Sequence, residues 1–390
     1  MKFKRILASV LAGAMVLSFA GCSSSSNGDT SDTADTGDTA DTSSEGETFI
    51  IGGMGPLTGD AASYGTSVQN GAQIAIDEIN AAGGAAGYTL ELVFEDDEND
   101  EEKAVNAYNL VMDQGANAIL GAVTSGCCIA MIEEAQADGI LTVTPSGSAQ
   151  DCTKYPNNFR ICFTDPLQGE TMAEYISEQG YSKIAIIYDV GNDYSKGIND
   201  AFVAKAEELG MEIVADESFN TGDVDFKSQL TKIKSSGADC LFLPIYYTEV
   251  GYISEQAATV GVSLPYFGCD GWDGVIDQLQ GDTTNIEGAT FLTPFVATSQ
   301  DPKVQAFVET YQEQYGETPD QFAADAYDGV YAIKAAIEQT GGDISNEALI
   351  GAMTEIEVDG LTGHMTFDEN GEPEKEALVA TIENGQYVAQ

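Results

Sequence analysis

The chain has 390 residues, of which 64 are acidic and 15 basic, so its net charge at pH 7 is −49. A surface this acidic repels phosphate backbones and anionic lipid headgroups, which argues against nucleic-acid binding. Since 43% of the residues are hydrophobic, the chain can still build large cores, and its length predicts two or three domains. The one histidine, His364, excludes multi-histidine metal sites, and no cofactor is expected.

Residues 1–22 are predicted to be a lipoprotein signal peptide. Three basic residues precede an uncharged stretch, residues 6–20, which matches a signal peptide and is short for a membrane span. The stretch ends in SFAGC, which resembles a bacterial lipobox with Phe19 in place of the usual leucine. Cys22 is therefore the predicted lipid attachment site; ordinary secretion, with Cys22 incidental, is the alternative.

Residues 23–47 are predicted to be a disordered tether. They are almost entirely Ser, Thr, Asp and Gly and include the period-three run DTSDTADTGDTADT. Such a segment cannot bury a core and behaves as a flexible, charge-extended linker. A lipid anchor and a tether together predict an extracytoplasmic body that contacts the membrane through the lipid alone.

From Thr48 onward, short apolar runs alternate with amphipathic helical stretches. The predicted strands begin with TFIIGGM, YTLELVFED, ANAILGAV and GILTVTP, and continue with SKIAIIYDV, MEIVADESF, ADCLFLPIYY and PYFGCD. This alternation, with nearly continuous apolar strands, predicts an α/β fold with two doubly wound parallel-sheet lobes. Two late helices, 304–315 and 322–339, follow, and the final segment is predicted to form two strands around an ENG turn.

Six further cysteines lie in the body of the chain. An even number in an exported protein permits disulfides, although the spacing is not that of a small disulfide scaffold. Cys152 could pair with Cys162 or with one of the adjacent Cys127 and Cys128.

The segments that follow the predicted strands are the expected binding positions, because open α/β sheets bind ligands at the carboxyl ends of their strands. These segments contain hydroxyls, tyrosines, glycines and single acids, and no Lys or Arg. That composition suits a small zwitterion, whose carboxylate binds hydroxyls and a helix N-terminus while one acid and aromatic rings hold its ammonium. The segments are GPLTGDAASYG, VTSGCC, TPSGS, DVGNDYS, PIYYTEVG and CDGWDG.

In this order these motifs resemble the family of extracellular binding proteins for branched-chain amino acids, which serve ABC importers. Further landmarks are NGAQIAIDEINAAGG, LELVFEDDENDEEKAV and FRICFTDP. The resemblance implies the type I periplasmic-binding-protein fold, with two lobes joined by three hinge crossovers near Thr164, Pro294 and Asn370. The N-terminal lobe would then contain residues 48–164 and 294–370, and the C-terminal lobe residues 165–293 and 371–390.

The resemblance also implies which residues bind the ligand carboxylate. The serine after the third strand matches Ser125, and the TP-x-x-[ST] loop matches Ser146 and Ser148. Hydroxyls at a helix start donate to a carboxylate, although Ser125 and Ser148 could also simply cap their helices.

The acid of the family's G-x-[DE]-G loop, which pairs with the ligand ammonium, matches Asp270. A buried carboxylate with no basic neighbour in sequence suits a bound ammonium, whereas a solvated turn aspartate is the alternative. The family's pocket aromatics match Tyr64, Tyr194 and Tyr246. Trp272 is an addition to the branched-chain pattern and is predicted either to line the pocket or to lie in the core beneath it.

The expected function is therefore the substrate-binding component of an ABC importer, a monomer whose partners are a small amino acid and the permease. A branched-chain amino acid is the expected ligand; an aromatic amino acid, an amide or another small polar solute is the alternative. A ligand-sensing module would use the same fold. An enzyme is not expected, since the motifs contain no paired nucleophile and base.

Overall fold

The computed structural model describes residues 47–390; the predicted signal peptide, the tether up to residue 46 and Cys22 lie outside the described residues. The strands are β1 (Thr48–Gly55), β2 (Thr89–Asp96), β3 (Ala118–Leu120), β4 (Thr142–Thr144), β5 (Asn158–Arg160), β6 (Lys183–Asp189), β7 (Glu212–Phe219), β8 (Cys240–Leu243), β9 (Tyr266–Gly268), β10 (Thr290–Thr293), β11 (Glu357–Asp359), β12 (His364–Thr366), β13 (Leu378–Glu383) and β14 (Gln386–Ala389). The helices are α1 (Ala62–Ala81), α2 (Glu101–Asp113), α3 (Ser125–Asp138), α4 (Asp165–Glu178), α5 (Asp193–Glu208), α6 (Lys227–Ser236), α7 (Tyr247–Val260), α8 (Val275–Gln278), α9 (Pro302–Tyr315), α10 (Gln321–Gln339) and α11 (Asn346–Met353).

Two separate sheets organise these elements. One sheet has five parallel strands in the order β2-β1-β3-β4-β5. The other has seven strands in the order β14-β13-β10-β9-β8-β6-β7. Strands β6 to β10 run parallel, β13 pairs antiparallel with β10, and β14 pairs antiparallel with β13. The two parallel arrays confirm the predicted α/β architecture. We call the five-stranded sheet and its helices the first lobe, and the seven-stranded sheet and its helices the second lobe.

The central strands are buried along their whole length. Every residue of β3, β4, β8 and β10 is buried, which explains why β3 and β8 are apolar without alternation and why the other two strands contain only threonine beside their apolar residues. Helix α1 buries Val68, Ala72 and Ile76 on one face. A Cβ on Gly71 would lie only 2.0 Å from the carbonyl oxygen of Ala323, so glycine is needed for α1 to pack directly on the backbone of α10.

The late helices belong to the first lobe. Helices α9 and α10 both pack against α1, and α10 also contacts β3 and β4. The chain therefore passes between the lobes three times: between β5 and α4, between β10 and α9, and between β12 and β13. This path brings the start of α10 to the junction between the lobes.

The C-terminal segment forms a hairpin, as predicted. Strands β13 and β14 pair antiparallel around the turn at Asn384 and Gly385, both of which have a positive φ. Two consecutive left-handed residues give the turn that matches the twist of a hairpin, and Asn-Gly is the preferred sequence for it. The earlier part of the segment differs from the prediction, because β12 pairs with β11 in a small separate sheet.

Within residues 47–390, none of the helices is long and apolar enough to span a membrane.

Candidate ligand-binding site

The carboxyl ends of the two parallel sheets face each other, and a small cavity lies between them. The first lobe contributes the segments after β1, β3 and β4, and the second lobe those after β6, β8 and β9. The cavity has a volume of about 10 Å³, room for about one water molecule in this closed conformation, and no Lys or Arg in its lining. The lining residues are Tyr64, Val123, Thr124, Ser146, Tyr194, Tyr246, Asp270, Gly271 and Phe322.

Asp270 supplies the one carboxylate of this lining. It begins the short 3-10 helix Asp270–Trp272 that follows β9, and it is 3% exposed. The Tyr194 hydroxyl donates to Asp270 Oδ1 at 2.7 Å, and the Asp270 N–H donates to Gln168 Oε1 at 3.0 Å. Burial raises the pKa of Asp270 to about 6, and the hydrogen bond from Tyr194 to the carboxylate opposes the rise. A cation placed against Asp270 would therefore offset the cost of burying its charge.

Hydroxyl groups of two tyrosines, one from each lobe, hold the loop that carries this carboxylate. The Tyr64 hydroxyl, on α1 of the first lobe, donates to the Gly271 carbonyl at 2.5 Å. The Tyr194 hydroxyl, on α5 of the second lobe, accepts from the Gly271 N–H at 2.9 Å while it donates to Asp270. The loop that presents Asp270 is thus held from both sides, in a conformation in which the lobes touch.

Aromatic rings form the walls of the cavity. Tyr64 stacks on Phe322 with ring centroids 4.0 Å apart and meets Tyr246 edge-on at 5.4 Å. Tyr194 stacks on Tyr246 at 4.9 Å. The three tyrosines that the resemblance predicted therefore lie together. Phe322 could not be singled out from the sequence, since it is the second residue of a late helix whose position depends on the three crossings between lobes.

Hydroxyls and a helix start lie at the first-lobe side of the cavity. Thr124 precedes α3, and its hydroxyl is buried and has no hydrogen-bond partner among the described residues. The Ser146 hydroxyl donates to the Val123 carbonyl at 2.7 Å. With the positive end of the α3 dipole, these groups provide a place for a negative charge. Thr124 is an addition to the predicted set, although it stands in the VTSG motif.

Ser125 and Ser148 lie behind this lining rather than in it. Ser125 Oγ accepts from the Ala149 N–H at 3.1 Å, so it connects α3 to the segment after β4. The Ser148 hydroxyl is fully buried and has no hydrogen-bond partner among the described residues. The structure does not bring either side chain to the cavity wall, and it supports a positioning role for Ser125.

Trp272 occupies the core of the second lobe. It is fully buried, its Nε1 donates to the Leu243 carbonyl at 2.9 Å, and its ring stacks on Phe291. It does not line the cavity. The structure therefore corrects its assignment to the ligand site: the 3-10 turn that aims Asp270 at the cavity places Trp272 against β8 and β10.

A second contact between the lobes lies beside Asp270. The Gln321 N–H, at the start of α10, donates to Asp273 Oδ2 at 3.0 Å, and the Gln321 side-chain amide donates to the Asp270 carbonyl. Asp273 belongs to the second lobe and Gln321 to the first. Asp273 is visible in the sequence as the second acid of the CDGWDG motif. Its partner, Gln321, could not be predicted, because α10 reaches Asp273 only through the return of the chain to the first lobe.

The fold and the cavity define a two-lobed binding protein with a ligand site at the junction of its lobes. The chain belongs to the periplasmic binding protein family, whose model matches residues 48–386. It is 32% identical over 326 residues to a Leu/Ile/Val-binding protein homolog of Brucella melitensis, a match that covers 83% of this chain and 88% of the relative.

Two further relatives give the same assignment. The leucine-, isoleucine-, valine-, threonine- and alanine-binding protein of Pseudomonas aeruginosa is 31% identical over 330 residues, covering 84% of this chain and 87% of that protein. The crystal structure of a branched-chain amino acid transporter substrate-binding protein from Streptococcus pneumoniae, in complex with isoleucine, is 34% identical with a TM-score of 0.80. It covers 88% of this chain and 100% of that one.

Proposed function

We propose that this protein is the extracytoplasmic substrate-binding component of an ABC importer and that it binds a small, branched-chain amino acid between its lobes. The observation that carries the proposal is the buried carboxylate of Asp270, which faces a cavity without a basic side chain. The relatives named for leucine, isoleucine and valine binding support this ligand class.

In this proposal each charged end of the zwitterion contacts groups of complementary charge or hydrogen-bonding character. The α-ammonium pairs with Asp270, while the carboxylate accepts from the Thr124 hydroxyl and the N-terminus of α3. The Ser146 hydroxyl, which donates to the Val123 carbonyl in this structure, would turn from that carbonyl to the ligand on binding. The aliphatic side chain packs on the rings of Tyr64 and Phe322. The same arrangement disfavours anionic ligands, because a second carboxylate near Asp270 would find no counter-charge.

Ligand binding would stabilise the conformation in which the lobes meet, and that conformation would be recognised by the permease. No bond of the ligand is made or broken in this role. The predicted lipid anchor at Cys22 would keep the protein, as a monomer, at the outer surface of the membrane.

Isothermal titration calorimetry with matched ligands tests the proposal. We expect binding of leucine, isoleucine and valine, and loss of binding for isocaproate, which lacks the ammonium, and for leucinamide, which lacks the carboxylate. Phenylalanine and benzoate test the aromatic alternative in the same series. Tight binding of isocaproate or benzoate would contradict the proposed role of Asp270.

Substitution of the carboxylate gives the second arm of this test. Asp270→Asn should weaken leucine binding at least about 100-fold, because a buried ion pair loses its anion. Asp193→Asn, which changes an exposed acid at the start of α5 beside Tyr194, is the matched control and should bind leucine like the unmodified protein. Equal affinities for the two variants would rule out the pairing of Asp270 with the ammonium.

A further inference from the structure

Two cysteines lie together beneath the segments that form the hydroxyl-lined end of the cavity. Cys128 is on α3 and Cys152 on the 3-10 helix Gln150–Thr153, and both are buried. Cys152 Sγ donates to the Ser125 carbonyl at 3.8 Å, and Cys128 Sγ reaches the Cys152 carbonyl at 4.0 Å. All six cysteines of the described residues are free thiols in this structure.

Gly147 shows how close the two side chains are. A Cβ on Gly147 would lie 3.1 Å from Cys152 Sγ and 3.2 Å from Cys128 Cβ. A single added atom would thus touch both cysteines, so they flank the same point of the loop after β4. The two cysteines are therefore neighbours across this loop, which is the first requirement for a disulfide between them.

The surroundings distinguish Cys128 from its neighbour Cys127. A hydrogen bond from the Cys152 thiol and the nearby Arg160 guanidinium lower the pKa of Cys128 despite its burial. Burial, together with the charge of Asp97, raises the pKa of Cys127 well above its ordinary value. Since the thiolate is the nucleophile in thiol–disulfide exchange, Cys128 is the better attacking group.

We propose that Cys128 and Cys152 form an intramolecular disulfide by exchange with a low-molecular-weight disulfide, and that this modification site is coupled to ligand binding. The Cys128 thiolate attacks one sulfur of the small disulfide, breaks its S–S bond and releases one thiolate, which takes up a proton. Burial raises the pKa of Cys152, so its thiol gives up its proton as it attacks Cys128 Sγ in the mixed disulfide; the departing second small thiolate takes up that proton and leaves as a thiol. The protein loses two hydrogen atoms, and the small disulfide is reduced to two thiols.

Coupling to the ligand follows from what the bond would connect. Cys128 is fixed to the helix that begins at Ser125, and Cys152 follows the loop that carries Ser146, so a disulfide would tie both carboxylate-binding segments together. Gln150 and Asp151, beside Cys152, line a groove whose other wall is α5 of the second lobe. Gln150 and Asp151 are exposed in this structure, whereas Cys128 and Cys152 are buried in the core of the first lobe. Exchange therefore needs the segment that carries Ser146 to move away from α3, and a ligand whose carboxylate binds that segment, as in the proposed function, would oppose this opening.

Oxidation of the full-length, reduced protein with glutathione disulfide, followed by peptide mapping of every cysteine, tests the pair. We expect one intramolecular cross-link, between Cys128 and Cys152, in the unmodified protein and in the matched control Cys127→Ser. Cys128→Ser and Cys152→Ser should form no cross-link, and Cys152→Ser should retain glutathione on Cys128. Free thiols at both positions after prolonged oxidation, or a cross-link through Cys127 or Cys162, would overturn the assignment.

The coupling is measured as the rate of cross-linking with and without saturating leucine. We expect leucine to slow the reaction at least about fivefold, because the accessible open form is depleted. An unchanged rate in a sample shown by calorimetry to bind leucine would refute the coupling and leave the disulfide assignment standing. If leucine does not bind at all, the proposed function fails, and the mapping alone still decides whether the pair forms. Circular dichroism of each serine variant shows whether the variant is folded, so that loss of the Cys128–Cys152 disulfide is distinguished from loss of the fold. Cys128→Ala serves as a second substitution at the same position, in case Cys128→Ser does not fold.

Discussion

At the scale of single residues, the site depends on how a buried carboxylate is kept ready for a cation. Tyr194 supports Asp270 twice, because its hydroxyl donates to Oδ1 and accepts from the Gly271 N–H in the same loop. The hydrogen bond from Tyr194 favours the ionised form of Asp270 and opposes the rise of its pKa that burial causes. One phenolic oxygen thus sets both the position and the charge of the proposed ammonium partner.

Tyr194→Phe should therefore weaken leucine binding roughly tenfold. The substitution leaves the Gly271 N–H without its partner in the closed form, at a cost of about 1–3 kcal/mol, and makes Asp270 harder to ionise. Calorimetry at neutral pH measures the change. Tyr188→Phe, which removes a hydroxyl from a half-buried residue of β6 away from the cavity, should leave affinity unchanged; an equal loss in both variants would point to general destabilisation instead.

At the scale of elements, the start of α10 is where the two lobes are joined. Asp320 caps this helix by accepting from the Ala323 N–H, and the next residue, Gln321, contacts the second lobe with both its backbone and its side chain. Phe322, one residue further on, is part of the cavity wall. A single helical turn thus caps the helix, contacts the other lobe and lines the cavity.

Removal of the Gln321 side chain should weaken closure and ligand binding by roughly 5- to 30-fold. Gln321→Ala leaves the buried Asp270 carbonyl without its donor, which costs about 1–2 kcal/mol in the closed form alone. Gln339→Ala, at the other end of the same helix, is the control, because its amide contacts only the exposed Glu355. Small-angle scattering with leucine should show a more open average shape for Gln321→Ala, and an unchanged radius of gyration and affinity would contradict the role.

The same turn of α10 marks the limit of what the sequence could predict. Tyr64, Tyr194 and Asp270 lie in segments that follow predicted strands, so the rule that ligands bind at the carboxyl ends of strands grouped these segments, and the family resemblance singled out the three residues within them. Gln321 and Phe322 follow no strand; they reach the cavity because the chain returns to the first lobe after β10. The sequence also could not predict whether the Trp272 side chain faces the cavity or the core. That orientation depends on the geometry of the 3-10 turn that separates Trp272 from Asp270.

At the scale of the whole molecule, several buried acidic side chains lie near the junction of the two lobes. Burial raises the pKa of Asp320 to about 6 and that of Glu249 to about 7, and it raises the pKa of Asp165 and Asp273 well above the ordinary value. Asp320 and Asp273 come from opposite lobes and each also contacts the start of α10. Bringing the lobes together therefore places like charges in a common low-dielectric region, and protonation relieves their repulsion.

The free energy of unfolding should consequently fall as the pH rises from about 4 to about 7. Between the ordinary carboxyl pKa and the raised pKa, the folded protein binds more protons than the unfolded chain. The free energy of unfolding is therefore greatest below this pH window and decreases as the pH rises across it. Differential scanning calorimetry at constant ionic strength gives the slope. Asp320→Asn should flatten it, because one of the raised groups no longer titrates, whereas Asp282→Asn, an exposed acid whose pKa is lowered by Thr284, should keep the slope of the unmodified protein. A midpoint that rises steadily with pH over the same window would show that the acids at the lobe junction are solvated and ionised, and that closure of the lobes takes up no protons.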